Sequence, residues 1–131
     1  MKKLKCNPIS EGIVQGDVIL TKEPISFYGG VDMKTGIVIE KGHELEGKSI
    51  AGKILIFPHG KGSTVGSYVI YGLKKYGKAP LALVVEEAEA IIISGAILAN
   101  IPCVDGIKIR ELENAKKIKV DANKGEVEII E

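Results

Sequence analysis

The sequence contains no tryptophan and a single arginine, Arg110, although it has 18 basic residues in total. Arginine supplies the two-pronged contacts with which proteins commonly hold phosphates and nucleic-acid bases. The net charge of +1 also lacks the basic excess that is typical of a nucleic-acid-binding surface. We therefore expect no nucleic-acid partner.

Cysteine is nearly as scarce, with Cys6 and Cys103 far apart in the sequence. Two cysteines do not make a four-ligand zinc or iron–sulfur site, so we expect no metal site in this chain alone. Nothing supports a disulfide, and a reducing cytoplasm is the simpler interpretation. The basic start of the chain resembles no signal peptide, and the longest apolar stretch, near residues 90–99, is too short to span a bilayer. The sequence therefore predicts a cytoplasmic protein without a membrane anchor.

The length and the spacing of apolar segments predict one β-rich domain over residues 1–131. The 16 glycines are spread along the chain, which indicates many tight turns rather than a linker. Short apolar segments between glycine, asparagine and proline predict strands. These segments are residues 3–6, 12–20, 37–39, 54–57, 81–85, 101–104, 117–121 and 126–130.

The middle of the chain predicts a βαβ unit. Residues 53–57 and 81–85 are apolar runs, and residues 64–76 between them read as a helix that ends at glycine and proline. A crossover of this kind places its two strands in parallel. Residues 86–100 are ambiguous, because their alanines favour a helix and their isoleucines a strand, and we expect a short strand and a helical turn. The predicted fold is a compact α/β domain with one main helix.

Residues 58–67 are the most informative segment, a turn with three glycines and three hydroxyl side chains before the predicted helix. It is not a Walker A loop, because Gly62 follows Lys61, and its glycine spacing does not fit the dinucleotide fingerprint. Such a turn directs N–H groups and the positive end of the helix dipole towards whatever lies in front of it. Ser63 can therefore cap the helix, hold an anion or act on a substrate, and the residues alone leave these alternatives open.

Other candidates for a site carry weaker signals. His59 lies close enough to the loop to act as a general base or to contact a phosphate. A lone histidine such as His59 or His43 is, however, more often a surface or packing residue. Phe27 and Tyr28, two aromatics that look exposed and are followed by two glycines, form either a flap over a substrate or a turn whose aromatics cover the edge of the core. Glu86, Glu87 and Glu89 could act as acid–base groups, but a solvated acidic turn is expected. No complete catalytic set is present, so the chain is expected to contribute part of a site.

Five segments match a known pattern in the same order along most of the chain. They are Phe27-Tyr28-Gly29-Gly30-Val31-Asp32 with Thr35-Gly36, His43-x-Leu45 with residues 47–53, Gly60-Lys61-Gly62-Ser63-Thr64-x-Gly66-Ser67, Gly77-Lys78-Ala79-Pro80, and Gly95-Ala96-Ile97-x-Ala99-x-Ile101-Pro102. This ordered series resembles the aconitase X swivel-domain (small-subunit) family.

The resemblance implies a fold and a partner. The fold is the swivelling β/β/α domain that aconitases use as a mobile lid. The partner is a large catalytic subunit of aconitase X type, which holds an iron–sulfur cluster, of the 4Fe–4S type, through its own cysteines. The resemblance implies that this chain alone binds no cluster, which agrees with its shortage of cysteine.

The resemblance also implies a reaction and roles for residues of the loop. The reaction is dehydration of (R)-5-phosphomevalonate to trans-anhydromevalonate 5-phosphate in an archaeal mevalonate pathway. Ser63 stands at the motif serine and would accept the substrate proton as an alkoxide. Gly62, Thr64 and Ser67 would position Ser63 or the substrate. Lys61 would contact an anionic group, although arginine is common at this position in the family and lysine lacks its fork geometry.

Three alternatives remain open at this point. A dehydratase of the same family could act on another hydroxy acid, such as cis-3-hydroxyproline. The chain could instead be a domain that binds a phosphorylated ligand at the loop and does no chemistry. It could also be an assembly or regulatory protein in which the loop only caps the helix.

Overall fold

The computed structural model describes residues 2–131. Within them it has eight strands, two ten-residue helices, one short irregular helical turn and a 3₁₀ turn. The strands are β1 (Lys3–Lys5), β2 (Asn7–Ser10), β3 (Ile13–Leu20), β4 (Ile54–Phe57), β5 (Ala82–Val85), β6 (Cys103–Asp105), β7 (Lys117–Asp121) and β8 (Glu126–Ile129). The helical segments are α1 (Phe27–Gly30), α2 (Gly66–Lys75) and α3 (Ala90–Ala99), with the 3₁₀ turn at Ile109–Glu111.

The strands form one mixed sheet in the order β1-β8-β7-β3-β4-β5-β6-β2. β3, β4, β5 and β6 run parallel, whereas the strands at both ends of the sheet pair antiparallel. In the predicted βαβ unit, Ile54 lies opposite Ala82 and Phe57 lies opposite Val85, with α2 as the crossover. The predicted parallel pair is therefore confirmed.

Both faces of the central strands are covered. Along β4, Leu55 and Phe57 pack in one cluster with residues of α2 and α3. Ile54 and Ile56 join a second cluster with apolar residues of β7 and β8 and the segment around the 3₁₀ turn. Since the side chains of a strand alternate between two faces, all four residues of β4 are buried. The result is a β-rich mixed α/β fold with helices on one side of the sheet, as expected from the resemblance.

The prediction for residues 86–100 is wrong, because Ala90–Ala99 forms the complete helix α3. This second helix packs closely on α2, and a Cβ added to Gly95 would lie 2.5 Å from Ile70 Cδ1. Small residues on α3 permit that approach, and the contact outweighs the preference of isoleucine for strands. Asn100 then ends the helix in the left-handed conformation, with φ 57° and ψ 43°. The fold thus has two main helices rather than one.

Three smaller expectations also need correction, and one strand was not expected. In place of the strand expected at residues 37–39, Ile37 forms an isolated bridge to Ser49 and Val38 forms one to Val31. Phe27 is buried, with 1% exposure, and only Tyr28 of the aromatic pair is exposed, at 56%. Helix α2 begins at residue 66 instead of 64. The strand β2 was not expected, and it pairs with β6 through an irregular register. One domain over residues 1–131 stays a prediction, since Met1 lies outside the described residues.

Candidate functional site

The loop of residues 58–65 lies where strand β4 ends and helix α2 begins, at the carboxyl edge of the parallel strands. In open α/β sheets, ligands commonly bind at this edge. A short parallel bridge holds the loop to Ile25. The N–H of Ile25 donates to His59 O at 3.2 Å, and the N–H of Lys61 donates to Ile25 O at 3.0 Å. The first half of the loop is therefore fixed, and the hydroxyl residues follow it.

The hydroxyls of the loop do not cap helix α2. The N-cap residue is Val65, and no side chain hydrogen-bonds there. Ser63 Oγ accepts the N–H of Val65 at 3.1 Å, which closes a small turn ahead of the helix. Ser67 Oγ donates to the carbonyl of Thr64 at 3.0 Å. Neither Ser63 nor Thr64 is therefore the N-cap residue of α2, although Ser63 accepts N–H groups of the turn that leads into the helix, and Ser63 remains exposed in front of it.

Three consecutive N–H groups of the loop have no acceptor within residues 2–131. They belong to Gly62, Ser63 and Thr64, and all three residues are exposed. They lie just before α2, where the helix dipole provides a partial positive charge. Successive N–H groups in this position form a concave surface that suits an anion.

An open cleft of about 340 Å³ adjoins the loop. Its lining includes Lys61 and Gly62 from the loop, Glu40, and four residues in or next to α1, namely Ser26, Tyr28, Gly29 and Gly30. Lys61 Nζ lies 3.0 Å from Glu40 Oε2, so the loop cation is paired with an acid from another segment. The sequence pattern did not reveal Glu40, because 21 residues separate it from Lys61. The two glycines after Tyr28 also line the cleft, and a role of this segment as a flap over a substrate stays a prediction.

Both the backbone conformation and the lack of space for a side chain favour glycine at position 62. Its φ of +91° lies in the left-handed region, which residues other than glycine rarely adopt. A Cβ at this residue would also lie 2.6 Å from Ser26 Oγ. Ser26 itself is held by a hydrogen bond from its hydroxyl to the carbonyl of Tyr28 at 2.9 Å. The loop therefore packs directly on the segment that forms the opposite side of the cleft.

The two histidines occupy different environments, and neither ring contacts Ser63 through a hydrogen bond in the described part of the chain. His43 is buried, with Nε2 3.0 Å from the carbonyl of Pro24 and Nδ1 accepting the N–H of Leu45. His59 is exposed, with Nδ1 2.8 Å from the carbonyl of Gly60. His43 is therefore a packing residue, and His59 braces the backbone of the loop.

The acidic turn after β5 is not simply solvated. Glu86 Oε2 accepts the N–H of Ile109 at 2.7 Å. Glu89 is half-buried, and its Oε1 accepts the N–H of Gly60 at 2.9 Å. The expectation of a solvated turn is therefore wrong for the half-buried Glu89, whereas Glu86 and Glu87 are exposed as expected. Glu89 connects this turn directly to the loop of Ser63.

The residues of this chain do not fit an iron–sulfur cluster. Burial raises the pKa of the Cys6 thiol to about 11 and that of the Cys103 thiol to about 12. Cluster ligands are thiolates, so thiols held in the protonated form are poor ligands. Residues 2–131 contain no group of three or more histidine, cysteine or acidic side chains arranged to hold a metal. Over the same residues, no helix is long and apolar enough to cross a membrane.

Comparison with known proteins gives consistent matches over nearly the whole chain. The phosphomevalonate dehydratase small subunit of Thermococcus kodakarensis is 56% identical over 129 residues, which are 98% of this chain and 97% of the relative. The protein of the same name from Methanosarcina acetivorans is 50% identical over 131 residues, covering 98% of this chain and 91% of the relative.

Solved structures and a family pattern agree with these relatives. The crystal structure of aconitase X from Thermococcus kodakaraensis, in its holo-form, superposes with a TM-score of 0.94 at 54% identity and covers 100% of both chains. A solution NMR structure matches with a TM-score of 0.89 at 47% identity, over 99% of this chain and 100% of the other. Residues 3–129 match the aconitase X swivel domain family. The resemblance inferred from the ordered segments is therefore confirmed, and the chain belongs to the aconitase X swivel domain family.

Proposed function

We propose that this chain is the small subunit of a two-subunit hydro-lyase. The reaction is dehydration of (R)-5-phosphomevalonate to trans-anhydromevalonate 5-phosphate, in a cytoplasmic mevalonate pathway of archaeal type. Relatives of about half-identical sequence carry the name phosphomevalonate dehydratase small subunit. The observation that carries the proposal is the exposed Ser63 beside three free N–H groups at the start of α2.

Ser63 is the proton acceptor in this proposal. A serine hydroxyl is a weak acid and acts as a base only if its surroundings stabilise the oxyanion. The N–H of Val65 already donates to Ser63 Oγ, and this hydrogen bond becomes stronger when the oxygen carries a negative charge. The positive end of α2 acts in the same direction. In the reaction, the alkoxide takes a proton from a substrate carbon, that C–H electron pair forms the double bond, and the hydroxyl group on the neighbouring carbon leaves.

The free N–H groups of the loop and Lys61 suit an anionic group of the substrate, such as its phosphate. Phosphate accepts several hydrogen bonds at once, and Gly62, Ser63 and Thr64 present three N–H donors side by side. Lys61 adds a positive charge at the edge of the same loop. We assign assistance to the departing hydroxyl, and the cluster that supplies it, to the large subunit, because residues 2–131 contain no group of side chains arranged to hold a metal.

Helix α3 provides the apolar surface expected for docking to a large subunit. Its ten residues, Ala90–Ala99, include no charged side chain, yet Ile97 and Leu98 are 58% and 50% exposed. A helix without a polar face is normally covered on all sides. A shallow cavity of about 140 Å³ between α3 and the start of α2 extends this surface to Thr64 and Ser67. Docking of the large subunit here would place Ser63 at the boundary between the two chains.

The test is dehydration by the complex of both subunits, purified without oxygen. Ser63→Ala should lower kcat by about 10²–10⁴-fold while the complex still assembles. Ser49→Ala is the matched control, because Ser49 Oγ accepts the N–H of Ala51 at 3.1 Å in the same type of small turn, away from the loop. Full activity of Ser63→Ala would contradict the proposal.

Further experiments distinguish between the two possible substrates, and between a subunit of a complex and a solitary ligand-binding domain. Assays with 5-phosphomevalonate and with cis-3-hydroxyproline decide between the two dehydratase activities. Anaerobic purification of this chain from its native source should recover a second, cysteine-containing subunit that carries iron. Recovery of the chain alone, together with tight binding of a phosphorylated ligand by it, would support the solitary binding domain instead.

A further inference from the structure

A carboxylate lies directly beneath the loop of Ser63 and has a role that the proposed reaction does not assign. Glu89 Oε1 accepts the N–H of Gly60 at 2.9 Å, three residues before Ser63. The other oxygen, Oε2, is buried and has no hydrogen-bond partner among the described residues. A buried acceptor without a partner is unfavourable. The arrangement therefore needs an explanation beyond folding stability.

The backbone that carries Glu89 is fixed independently of the loop's far end. The N–H of Ala88 donates to Asp105 Oδ2 at 3.0 Å, and the N–H of Glu87 donates to Pro58 O at 3.0 Å. Glu89 is also the N-cap residue of α3, but its side chain does not cap that helix. The side chain reaches the loop instead, and so links a fixed segment to the residues that lead to Ser63.

Gly60 closes tightly over this carboxylate. It is buried, and a Cβ added to it would lie 3.0 Å from both Glu89 Oε2 and the side chain of Ile92. A side chain at this position would therefore separate the Gly60 N–H from its acceptor. Because glycine has no side chain, a direct hydrogen bond can form between the acidic turn and the loop.

We propose that Glu89 is a positioning residue for Ser63. By accepting the Gly60 N–H, it fixes the start of the loop together with the bridge to Ile25, and thereby contributes to the location of the Ser63 hydroxyl and of the free N–H groups that follow. The kinetic consequence rests on the proposed dehydratase function, whereas the effect on the loop does not. The two are therefore tested separately.

The first experiment measures amide hydrogen exchange by NMR in the full chain, with thermal unfolding of each sample to verify that it is folded. Glu89→Ala should increase exchange at Gly60 by at least about tenfold, because the acceptor is lost. Glu89→Gln keeps an oxygen acceptor and should preserve the protection. Glu87→Ala is the matched control, since the Glu87 side chain is exposed and has no hydrogen-bond partner within residues 2–131. Unchanged protection of Gly60 in Glu89→Ala would overturn the proposal.

The second experiment measures kcat and KM of the two-subunit complex. Displacement of a catalytic group by about 1 Å can cost about 10²-fold in rate. We expect Glu89→Ala to lower kcat by about 10–100-fold with little change in KM, and Glu89→Gln to restore kcat to within about threefold. Equal loss in both variants while Gly60 stays protected in Glu89→Gln would overturn the proposal, because the negative charge would then be the essential property. A wild-type complex without dehydratase activity would contradict the proposed function alone, and the exchange data would still decide the role of Glu89.

Discussion

Lys61 and Glu40 form an ion pair across the mouth of the cleft, with 3.0 Å between Nζ and Oε2. Both side chains are partly exposed, so the pair contributes at most about 1 kcal/mol to stability. Its more important effect concerns the ligand. The lysine that suits an anionic substrate is already neutralised by an acid of the same chain, and an incoming phosphate must compete with that acid.

Removal of the acid should therefore strengthen anion binding. In Glu40→Gln, the Lys61 ammonium has no competing carboxylate, and we expect KM for the phosphorylated substrate to fall by about 2–10-fold, equivalent to about 0.4–1.4 kcal/mol. Lys61→Met should raise KM by a similar factor. Steady-state kinetics of the two-subunit complex measure both effects. Equal KM values in all three proteins would show that Lys61 does not contact the substrate.

The tight packing of Gly62 gives a prediction about stability. Gly62→Ala introduces both strain from the φ of +91° and a contact of 2.6 Å with Ser26 Oγ. We expect a loss of about 2–4 kcal/mol in the free energy of unfolding. Gly42→Ala is the matched control, because Gly42 has a φ of +83° but no atom within 4 Å of an added Cβ. Urea unfolding should therefore show a smaller loss for Gly42→Ala, and Ser26→Ala should recover part of the loss caused by Gly62→Ala.

The two thiols give a pH dependence of stability. Burial raises the pKa of Cys6 to about 11 and of Cys103 to about 12 in the folded chain, from 9.0. At a pH between 9.0 and the raised pKa of each thiol, the unfolded chain has lost the thiol proton that the folded chain keeps. The free energy of unfolding therefore falls as pH rises above about 9, by at most about 1.4 kcal/mol per pH unit for each thiol. Below about pH 8 the two thiols make stability nearly independent of pH.

Urea unfolding at pH 8 and at about pH 10.5 measures this effect. Tyrosine and lysine also titrate in alkali, so the comparison is between wild type and Cys103→Ala rather than between two pH values alone. The variant should lose less stability than wild type over this interval. An identical pH dependence in the two proteins would show that Cys103 ionises as freely in the folded chain as in the unfolded one.

The contact between α2 and α3 is tight enough to test by a compensating pair of substitutions. Gly95→Ala places a Cβ 2.5 Å from Ile70 Cδ1 and should cost about 1–3 kcal/mol. Ile70→Val removes Cδ1 and alone should cost about 0.5–1.5 kcal/mol. In the double variant the two costs should not add, since valine vacates the space that alanine needs. Additive losses in thermal unfolding would mean that the two helices move apart instead of repacking.

Much of the fold follows from local patterns in the sequence. The apolar runs that became β4 and β5, the helix between them and the turn of residues 58–67 all lie close to their predicted positions. These elements have one dominant signal each, either continuous apolar residues or a turn rich in glycine. The position of Ser63 ahead of α2 was therefore predictable, as was the family to which the chain belongs.

The remaining features depend on contacts between distant segments. The three isoleucines at the start of α3 favour a strand locally, whereas the alanines and the packing of Gly95 against Ile70 favour the helix that forms. Glu40 and Glu89 reach the loop from 21 and 29 residues away, so no local pattern shows that either acid contacts it. The contacts of these two acids with the loop could therefore not be predicted from the sequence, whereas the position of Ser63 could.

The absence of charge from α3 has a consequence for the cell that makes this protein. Two copies of a surface without charge do not repel one another, and exposed isoleucine and leucine favour self-association. We expect the unpaired chain to be prone to aggregation in proportion to its excess over its partner. Balanced synthesis of the two subunits would then protect solubility as well as activity. The yield of active enzyme would depend on the ratio in which the two chains are translated.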